Sequence, residues 1–237
     1  MNPDLTYWTE GDSCCNERWE NAYNRFETTA QADRKFHRRL IRLGARGWSR
    51  NSRVVELFCG SGRNLSCLRK MGFVDLHGVD LSPRLLSLHH GNAKLSVGDA
   101  TRLMFPNAWA DIVIVQGGFH HLPALPGDFE KCLDEIHRIL KPEGILVLVE
   151  PWLTPFLSCV HWCCRRSFLR KMSSKIDALA TMIEEEQSTY FRWLGMPEIL
   201  KEKLLARFRP AKWICEFGKL KGVFSKRGSG VRNEFLT

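Results

Sequence analysis

The sequence predicts an α/β fold: a mostly parallel sheet with helices on both faces and an antiparallel hairpin at one edge. Three observations carry this. Between residues 51 and 150, short apolar runs alternate with segments of helical periodicity, the pattern of a parallel sheet covered by helices. Several of those runs end in a carboxylate or a glycine turn, where open α/β sheets place their ligands. Past residue 210, two further strand-like runs read as a hairpin.

The elements follow in order. Residues 15–45 read as helical, because Trp19, Tyr23 and Phe26, then Phe36, Leu40 and Leu43, recur at helical spacing. Gly44 and Gly47 end that region. The spacing then predicts a strand over 53–58, a helix over 62–71 and a strand over 74–80. Ser82 and Pro83 supply an N-cap and a first-turn proline for a helix over 84–90. Strands follow over 94–97 and 111–115, the second a continuous apolar run buried on both faces. Phe129, Leu133, Ile136 and Leu140 mark one face of a helix over 128–140. A Lys-Pro-Glu-Gly turn over 141–144 leads into an apolar strand over 145–149. After Pro151 the pattern becomes mostly helical to residue 206, broken at Pro197, before the hairpin of 211–218 and 222–226. The reading is one domain over 1–237, with a helical cap (1–50), a ligand-binding core (51–150), a helical insert (151–210), a terminal hairpin (211–226) and a basic tail (227–237).

The composition, 44% apolar and 26% charged over 237 residues, is that of a globular protein rather than a disordered or membrane-spanning one. No run of about 18 uninterrupted apolar residues exists; the nearest, 145–164, is broken by Glu150, Pro151 and Pro155. The opening residues are acidic and polar, so no export signal is expected, and the last residues carry no lipidation box. Nine cysteines without an export signal point to free thiols in a reducing cytoplasm. No C-x-x-C pair appears, and no metal is expected. The net charge of +9 gathers in 34–53, 165–175 and 212–232. Such a surface attracts nucleic acid, acidic lipid or an anionic substrate, or is simply solvated.

The strand ends carry the chemistry. VVELFCGSGRN, residues 54–64, places Glu56 just before Gly60 and Gly62. Glycines let a backbone turn tightly and approach a ligand closely. A carboxylate beside them would repel a phosphate, so the ligand has a positive end. Asp80 ends the second strand about twenty residues past the glycines, placed to accept from both hydroxyls of a ribose. Asp99, in Gly98-Asp99-Ala100, can accept from an exocyclic amine such as that of adenine, or simply close an Asx turn. The fourth strand ends in Gln116, Gly117, Gly118, Phe119, His120 and His121, and the fifth in Glu150 and Pro151.

VVELFCGSGRN, GVDLSP, GDA, ADIVIVQGGFHHL and IHRILKPEGILVLVEP, in this order and spacing, resemble class I S-adenosylmethionine-dependent methyltransferases, above all the small-molecule branch of ubiquinone/menaquinone-type, methyltransferase-11-like enzymes. The resemblance covers about residues 30–150. It implies a Rossmann-like class I fold with a mostly parallel seven-stranded sheet, S-adenosyl-L-methionine as cofactor, and a cofactor site of Glu56, Phe58, Gly60, Gly62, Asn64, Asp80, Leu81, Asp99, Ala100 and Gln116. On that pattern Glu56 holds the methionine amino end, Asp80 the ribose, Asp99 and Ala100 the adenine, and Gln116 lies beneath the methionine portion. Phe58 replaces a more usual glycine and adds bulk at the turn. Met104 stands where a proline is common. Cys59 belongs to the cofactor loop and reads as packing.

Methyl transfer needs an aligned acceptor and excluded water, and a base only where the acceptor is protonated. His120 and His121 are the candidates for a general base or for substrate positioning, His120 first. The N-terminal helices and the insert are expected to cover the substrate. The insert's apolar residues suit a pocket wall, core packing or a membrane surface, with Arg165, Arg166, Arg170 and Lys171 behind them. The expected function is methylation of a small hydrophobic or aromatic acceptor, with an acidic group where those cations line the pocket. Methylation of nucleic acid is the alternative, disfavoured because QGGFHH is not an Asp/Asn-Pro-Pro-aromatic box. A non-catalytic cofactor-binding scaffold is the other. An NAD-linked enzyme fits worse, since Asn64 replaces the third glycine. The sequence leaves the oligomeric state open.

Overall fold

The computed structural model describes residues 5–11 and 17–227. Cys14, Cys15 and the basic tail beyond Arg227 lie outside them. The sheet has eight strands: β1 (Thr6–Tyr7), β2 (Arg53–Leu57), β3 (Asp75–Asp80), β4 (Lys94–Val97), β5 (Ala110–Gln116), β6 (Leu140–Pro151), β7 (Phe208–Glu216) and β8 (Lys219–Lys226). Their spatial order is β1-β4-β3-β2-β5-β6-β8-β7. All neighbours are parallel except β8, which runs antiparallel to β6 and to β7. Seven strands match the expected sheet. The eighth, β1, is a two-residue edge strand pairing Thr6 with Ser96 and Tyr7 with Val97. So short a run carries no period of its own, which is why the sequence hid it.

The helices are α1 (Glu17–Phe26), α2 (Thr29–Arg42), α3 (Arg63–Lys70), α4 (Pro83–Leu86), α5 (Gly127–Ile139), α6 (Pro155–Cys164), α7 (Ser167–Met172), α8 (Ser174–Glu185), α9 (Gln187–Leu194) and α10 (Pro197–Arg207). The Ser82 side chain caps α4 at Leu85 as expected, but α4 stops four residues early. The residues that follow hold the ring of His89 against Gly62. The Lys-Pro-Glu-Gly segment lies inside β6 as an irregularity: Leu140 pairs with Ala110, and pairing resumes at Ile145 with Ile112.

The two faces of the sheet bury separate cores. Val55, Leu57, Val113, Val115, Leu146 and Leu148 face α5, α9 and α10, while Val54, Ile112, Ile114, Val147 and Val149 face α2 and α3. Each fully buried aliphatic side chain contributes roughly 1.5–3 kcal/mol. Because strand side chains alternate, this division also aims the polar strand ends. Glu56 and Gln116 point to the α2/α3 side, and Glu150 to the side of α5 and α9. The strand order reverses between β2 and β5, which pair Leu57 with Val115. The crevice at their carboxyl ends is therefore the ligand position of an open α/β sheet.

The cap and the insert meet above that crevice. Ala22 of α1 is buried against Ala178 and Met182 of α8, with Trp19, Tyr23 and Phe26 around them. Trp193 of α9 is fully buried and donates its indole N–H to the Pro151 carbonyl at 2.8 Å, fixing the insert to the end of β6. Among the described residues no helix is long and apolar enough to cross a membrane.

Candidate active site

Glu56 is 1% exposed. Asn64, the second residue of α3, donates to its Oε1 at 2.6 Å. Oε2 is buried with no hydrogen-bond partner. Burial pushes the carboxyl up to about 8, against the Asn64 hydrogen bond and with help from the negative charge of Asp80. A buried carboxyl with one idle oxygen is a place for a cation, since a positive partner recovers the lost solvation. The ammonium of a methionine end fits it.

The loop after Glu56 turns through left-handed residues: Phe58 at φ 56, Gly60 at φ 53 and Gly62 at φ 67. For glycine this is free; for Phe58 it costs on the order of 1 kcal/mol. The added bulk is taken up by Gly118, where a Cβ would come within 2.3 Å of the Phe58 ring. Phe58 also packs edge-on to Phe119, centroids 5.9 Å apart. Cys59 packs as expected. Its sulfur would meet a Cβ at Gly78 at 2.7 Å, and burial pushes its thiol well up, away from nucleophilic use.

Asp80 accepts from the Gly60 N–H at 2.7 Å and the Ser82 N–H at 2.9 Å. Burial raises its pKa against these two amide hydrogen bonds. It thus clamps the end of β3 to the glycine loop and keeps lone pairs for a ligand hydroxyl. Leu81 follows it, half-buried. Asp99 accepts from the Thr101 N–H at 2.8 Å, an Asx turn, beside the buried Ala100. Trp8, carried in by β1, lies against Gly98, where a Cβ would come within 2.3 Å of its ring. Gln116 accepts a hydrogen bond from Arg39 of α2, and burial lowers the Arg39 pKa.

Beyond Gly118 the site changes character. Glu150 is fully buried and accepts from the N–H groups of Gly118 at 2.8 Å and Phe119 at 2.9 Å through one oxygen. Its other oxygen lies 2.8 Å from Nδ1 of His120. Glu186, between α8 and α9, lies 3.5 Å from Nε2 of His120 and 3.5 Å from Nδ1 of His121. Burial alone would lower the pKa of His120, but Glu150 and Glu186 overcome it and lift it to about 9. Burial, then the neighbouring His120 charge, pushes His121 down to about 4. Two imidazoles with centroids 4.2 Å apart thus hold opposite protonation states at neutral pH: His120 cationic, His121 neutral. Trp19 covers His121 edge-on at 6.3 Å, and Tyr190 covers His120 at 5.9 Å. On β8, Lys219 is pushed down to about 8 by burial and by Arg39.

His120, His121 and Glu186 place ligand atoms within 4.8 Å of one another, a spacing that a metal ion could bridge; the same carboxylates equally hold a proton on His120. Glu150 and Glu186 are the residues that sequence reasoning left without a role. Glu150 had a signal, a carboxylate closing an apolar strand. Glu186 had none, lying in a polar stretch of the insert. The cations expected beside the pocket are elsewhere: Arg165 and Arg166 are exposed, and Arg170 is held by Asp177 and Glu184. The seven cysteines among the described residues are free thiols.

Residues 55–148 match the family described as methyltransferase domain. The chain is 30% identical over 162 residues to a demethylmenaquinone methyltransferase of Deinococcus radiodurans, covering 60% of this chain and 65% of that one. It is 30% identical over 127 residues to a demethylmenaquinone methyltransferase of Thermus thermophilus, covering 50% and 55%. The chain therefore spans between about half and two thirds of the length of these curated relatives. Among solved structures, the PH0226 protein of Pyrococcus horikoshii superposes with a TM-score of 0.66 at 18% identity, covering 90% of this chain and 100% of that one. A SAM-dependent methyltransferase of Archaeoglobus fulgidus does so with a TM-score of 0.58 at 14% identity, covering 88% and 99%. Residues 55–148 thus match the methyltransferase domain family, and the chain shares the fold of these solved structures, with the Glu56 carboxylate, the left-handed glycine loop and the Asp80 clamp at the sheet's switch point.

Proposed function

We propose that the protein methylates a small, apolar, aromatic acceptor of quinone type, and that it does so as one domain whose cap and insert close over the acceptor. The observation that carries this is Phe58 lying on Gly118. It joins the cofactor loop directly to the backbone that presents His120 and His121, so the methyl donor and the histidine pair share one crevice. The aromatic cover of Trp19 and Tyr190 suits a flat, apolar ring. The demethylmenaquinone methyltransferases among its relatives support an acceptor of that class. The free thiols agree with a reducing compartment such as the cytoplasm.

When bound, S-adenosylmethionine supplies a methyl group already activated on a sulfonium. The protein's residues do the rest. Glu56, set by Asn64, holds the amino end. Gly60 and Gly62 allow close approach, and Phe58 and Leu81 supply apolar contact. Asp80 accepts from the ribose, Asp99 and Ala100 meet the adenine, and Gln116 supports the methionine portion. His120 keeps its proton with its two ring N–H groups turned to Glu150 and Glu186, and places a positive charge beside the acceptor. His121, held neutral, has a lone pair that can accept a hydrogen bond from a hydroxyl acceptor and so orient it. The cover of α1 and α8 excludes water, leaving alignment as the main source of rate.

Calorimetric titration with S-adenosylmethionine, with NAD in parallel, tests the cofactor; micromolar binding of the former alone, weakened by Asp80→Ala, is expected. Methyl transfer from labelled cofactor is then compared on a reduced naphthoquinone and on RNA. Transfer to the quinol supports the reading. Transfer to RNA with none to the quinol replaces it by the nucleic-acid alternative, and cofactor binding with transfer to neither favours the scaffold.

A further inference from the structure

The outer surface of the insert and the tip of the hairpin carry most of the exposed large apolar side chains among the described residues. Leu153, Phe156, Trp162, Phe168, Met172 and Phe217 are each between 50% and 80% exposed. They belong to one region. The start of α6 is tied to the tip of the β7–β8 hairpin, where the Gly218 N–H donates to the Thr154 hydroxyl at 3.1 Å and Phe156 meets Phe217 with centroids 5.7 Å apart. The inner face of α6 buries Leu157, His161 and Cys164, which turns Phe156 and Trp162 outward. On α7 no residue is buried, and Phe168 and Met172 stand one turn apart on one side. Clusters of exposed large apolar side chains on a monomer mark contact with something apolar.

The charge says what that is. Residues 151–175 contain Arg165, Arg166, Arg170, Lys171 and Lys175 and no Asp or Glu. Arg170 is occupied by Asp177 and Glu184. Arg165, Arg166, Lys171 and Lys175 are exposed, and the Arg166 guanidinium lies over the Trp162 ring at 4.9 Å. A second copy of the same face would bring these cations against their own kind. An apolar surface whose exposed cations at 165, 166, 171 and 175 outnumber the acids beside it, which are themselves paired with other cations, is instead complementary to a bilayer bearing anionic headgroups, where aromatic rings settle at the interface and cations meet phosphate.

The geometry points to α6, α7 and the hairpin tip as a peripheral membrane-docking face for anionic phospholipid. The placement gives the docking a use. Directly behind the outer face of α6, His161 lies 3.0 Å from the Tyr190 hydroxyl, and the Tyr190 ring abuts His120. Only α6 and the Tyr190 side chain of α9 thus separate the docked surface from the histidine pair, so an acceptor dissolved in the lipid has a short way to travel. That consequence rests on the proposed function; the docking does not.

Co-sedimentation of the full chain with phosphatidylglycerol/phosphatidylcholine vesicles tests it without any methyl transfer. The protein is expected to sediment with the mixed vesicles, to remain in solution with pure phosphatidylcholine, and to dissociate as salt is raised to about 0.5 M. Arg165→Glu, Arg166→Glu and Lys171→Glu together should weaken binding at least about 100-fold, at roughly fivefold per charge removed. Trp162→Ser, Phe168→Ser and Met172→Ser together should weaken it at least about tenfold. Thermal melting and cofactor affinity unchanged from wild type confirm that both variants fold. Failure to bind mixed vesicles, equal binding to pure phosphatidylcholine, or wild-type binding by both folded variants overturns the proposal. Because vesicle binding is read apart from catalysis, an inactive protein that still docks would count against the methyltransferase reading alone.

Discussion

Around Glu56 the contacts that shape the site join residues close in sequence: Asn64 is eight positions from Glu56 and Asp80 twenty from Gly60. Around His120 they join residues thirty or more apart, with Glu150 in the next strand and Glu186 in the insert. The first half is a strand–turn–helix unit whose conformation is dictated by glycines and by the period of a strand. The second half exists only when β5, β6, α1 and α9 have all docked. The difference teaches that the glycine loop and its carboxylates are fixed by local rules, while the histidine half is set by what packs above it.

The largest effect that could break this contrast is at Glu150. Glu150→Ala leaves two buried N–H groups without a partner and the cation on His120 with Glu186 alone. Stability is expected to fall by about 3–5 kcal/mol, read as a lowered urea midpoint. A loss under about 1 kcal/mol would show that the histidine half does not depend on this long-range carboxylate.

Next comes Glu56. Glu56→Gln keeps the Asn64 contact but removes the charge, and should weaken S-adenosylmethionine binding by about 10- to 100-fold, the range for a hydrogen bond to a charged group. The pH dependence has a definite sign. The folded carboxyl titrates at about 8 against an ordinary value of 4.5. Between those values the folded state holds a proton that the unfolded state has released, so the apo protein loses stability as pH rises from 4.5 to 8. Relative to Glu56→Gln, wild-type melting temperature should therefore fall over that window, and saturating cofactor should flatten the difference. A parallel pair of melting curves would mean that Glu56 is not buried as described.

Gly118→Ala should cost about 1–3 kcal/mol by driving a methyl group into the Phe58 ring. Phe58→Gly in the same chain should restore most of it. If the double variant is as unstable as the single, Phe58 is not the cause, and the link between the two halves must be sought elsewhere.

Smaller still is Glu186→Gln. It removes one of two carboxylates holding the His120 proton, so the His120 pKa should fall from about 9, read by NMR titration of the ring, while stability changes by about 1 kcal/mol or less. An unmoved titration would dissociate the insert from the histidine pair. Treatment with EDTA should alter activity less than twofold, because Glu150 and Glu186 satisfy His120 with a proton; a larger loss would make the trio of His120, His121 and Glu186 a metal site.

What could be read without the structure follows the same line. The parallel strands, the glycine loop, the strand-end carboxylates and the terminal hairpin are all legible because period and turn chemistry are properties of neighbouring residues. Even the face on which Glu56 lies follows from its alternation with Val55. The two-residue β1 and the early end of α4 were not legible, because too few residues carry either signal.

The sequence by itself determined the order of strands and helices and the residue types at each strand end. Those depend on chain-local geometry. Only the tertiary structure decided that Phe58 would rest on Gly118, that one histidine would be charged and its neighbour neutral, and that Glu186 would join them. Each of these depends on burial and on charges brought from distant segments, and neither quantity exists until the chain has folded around them.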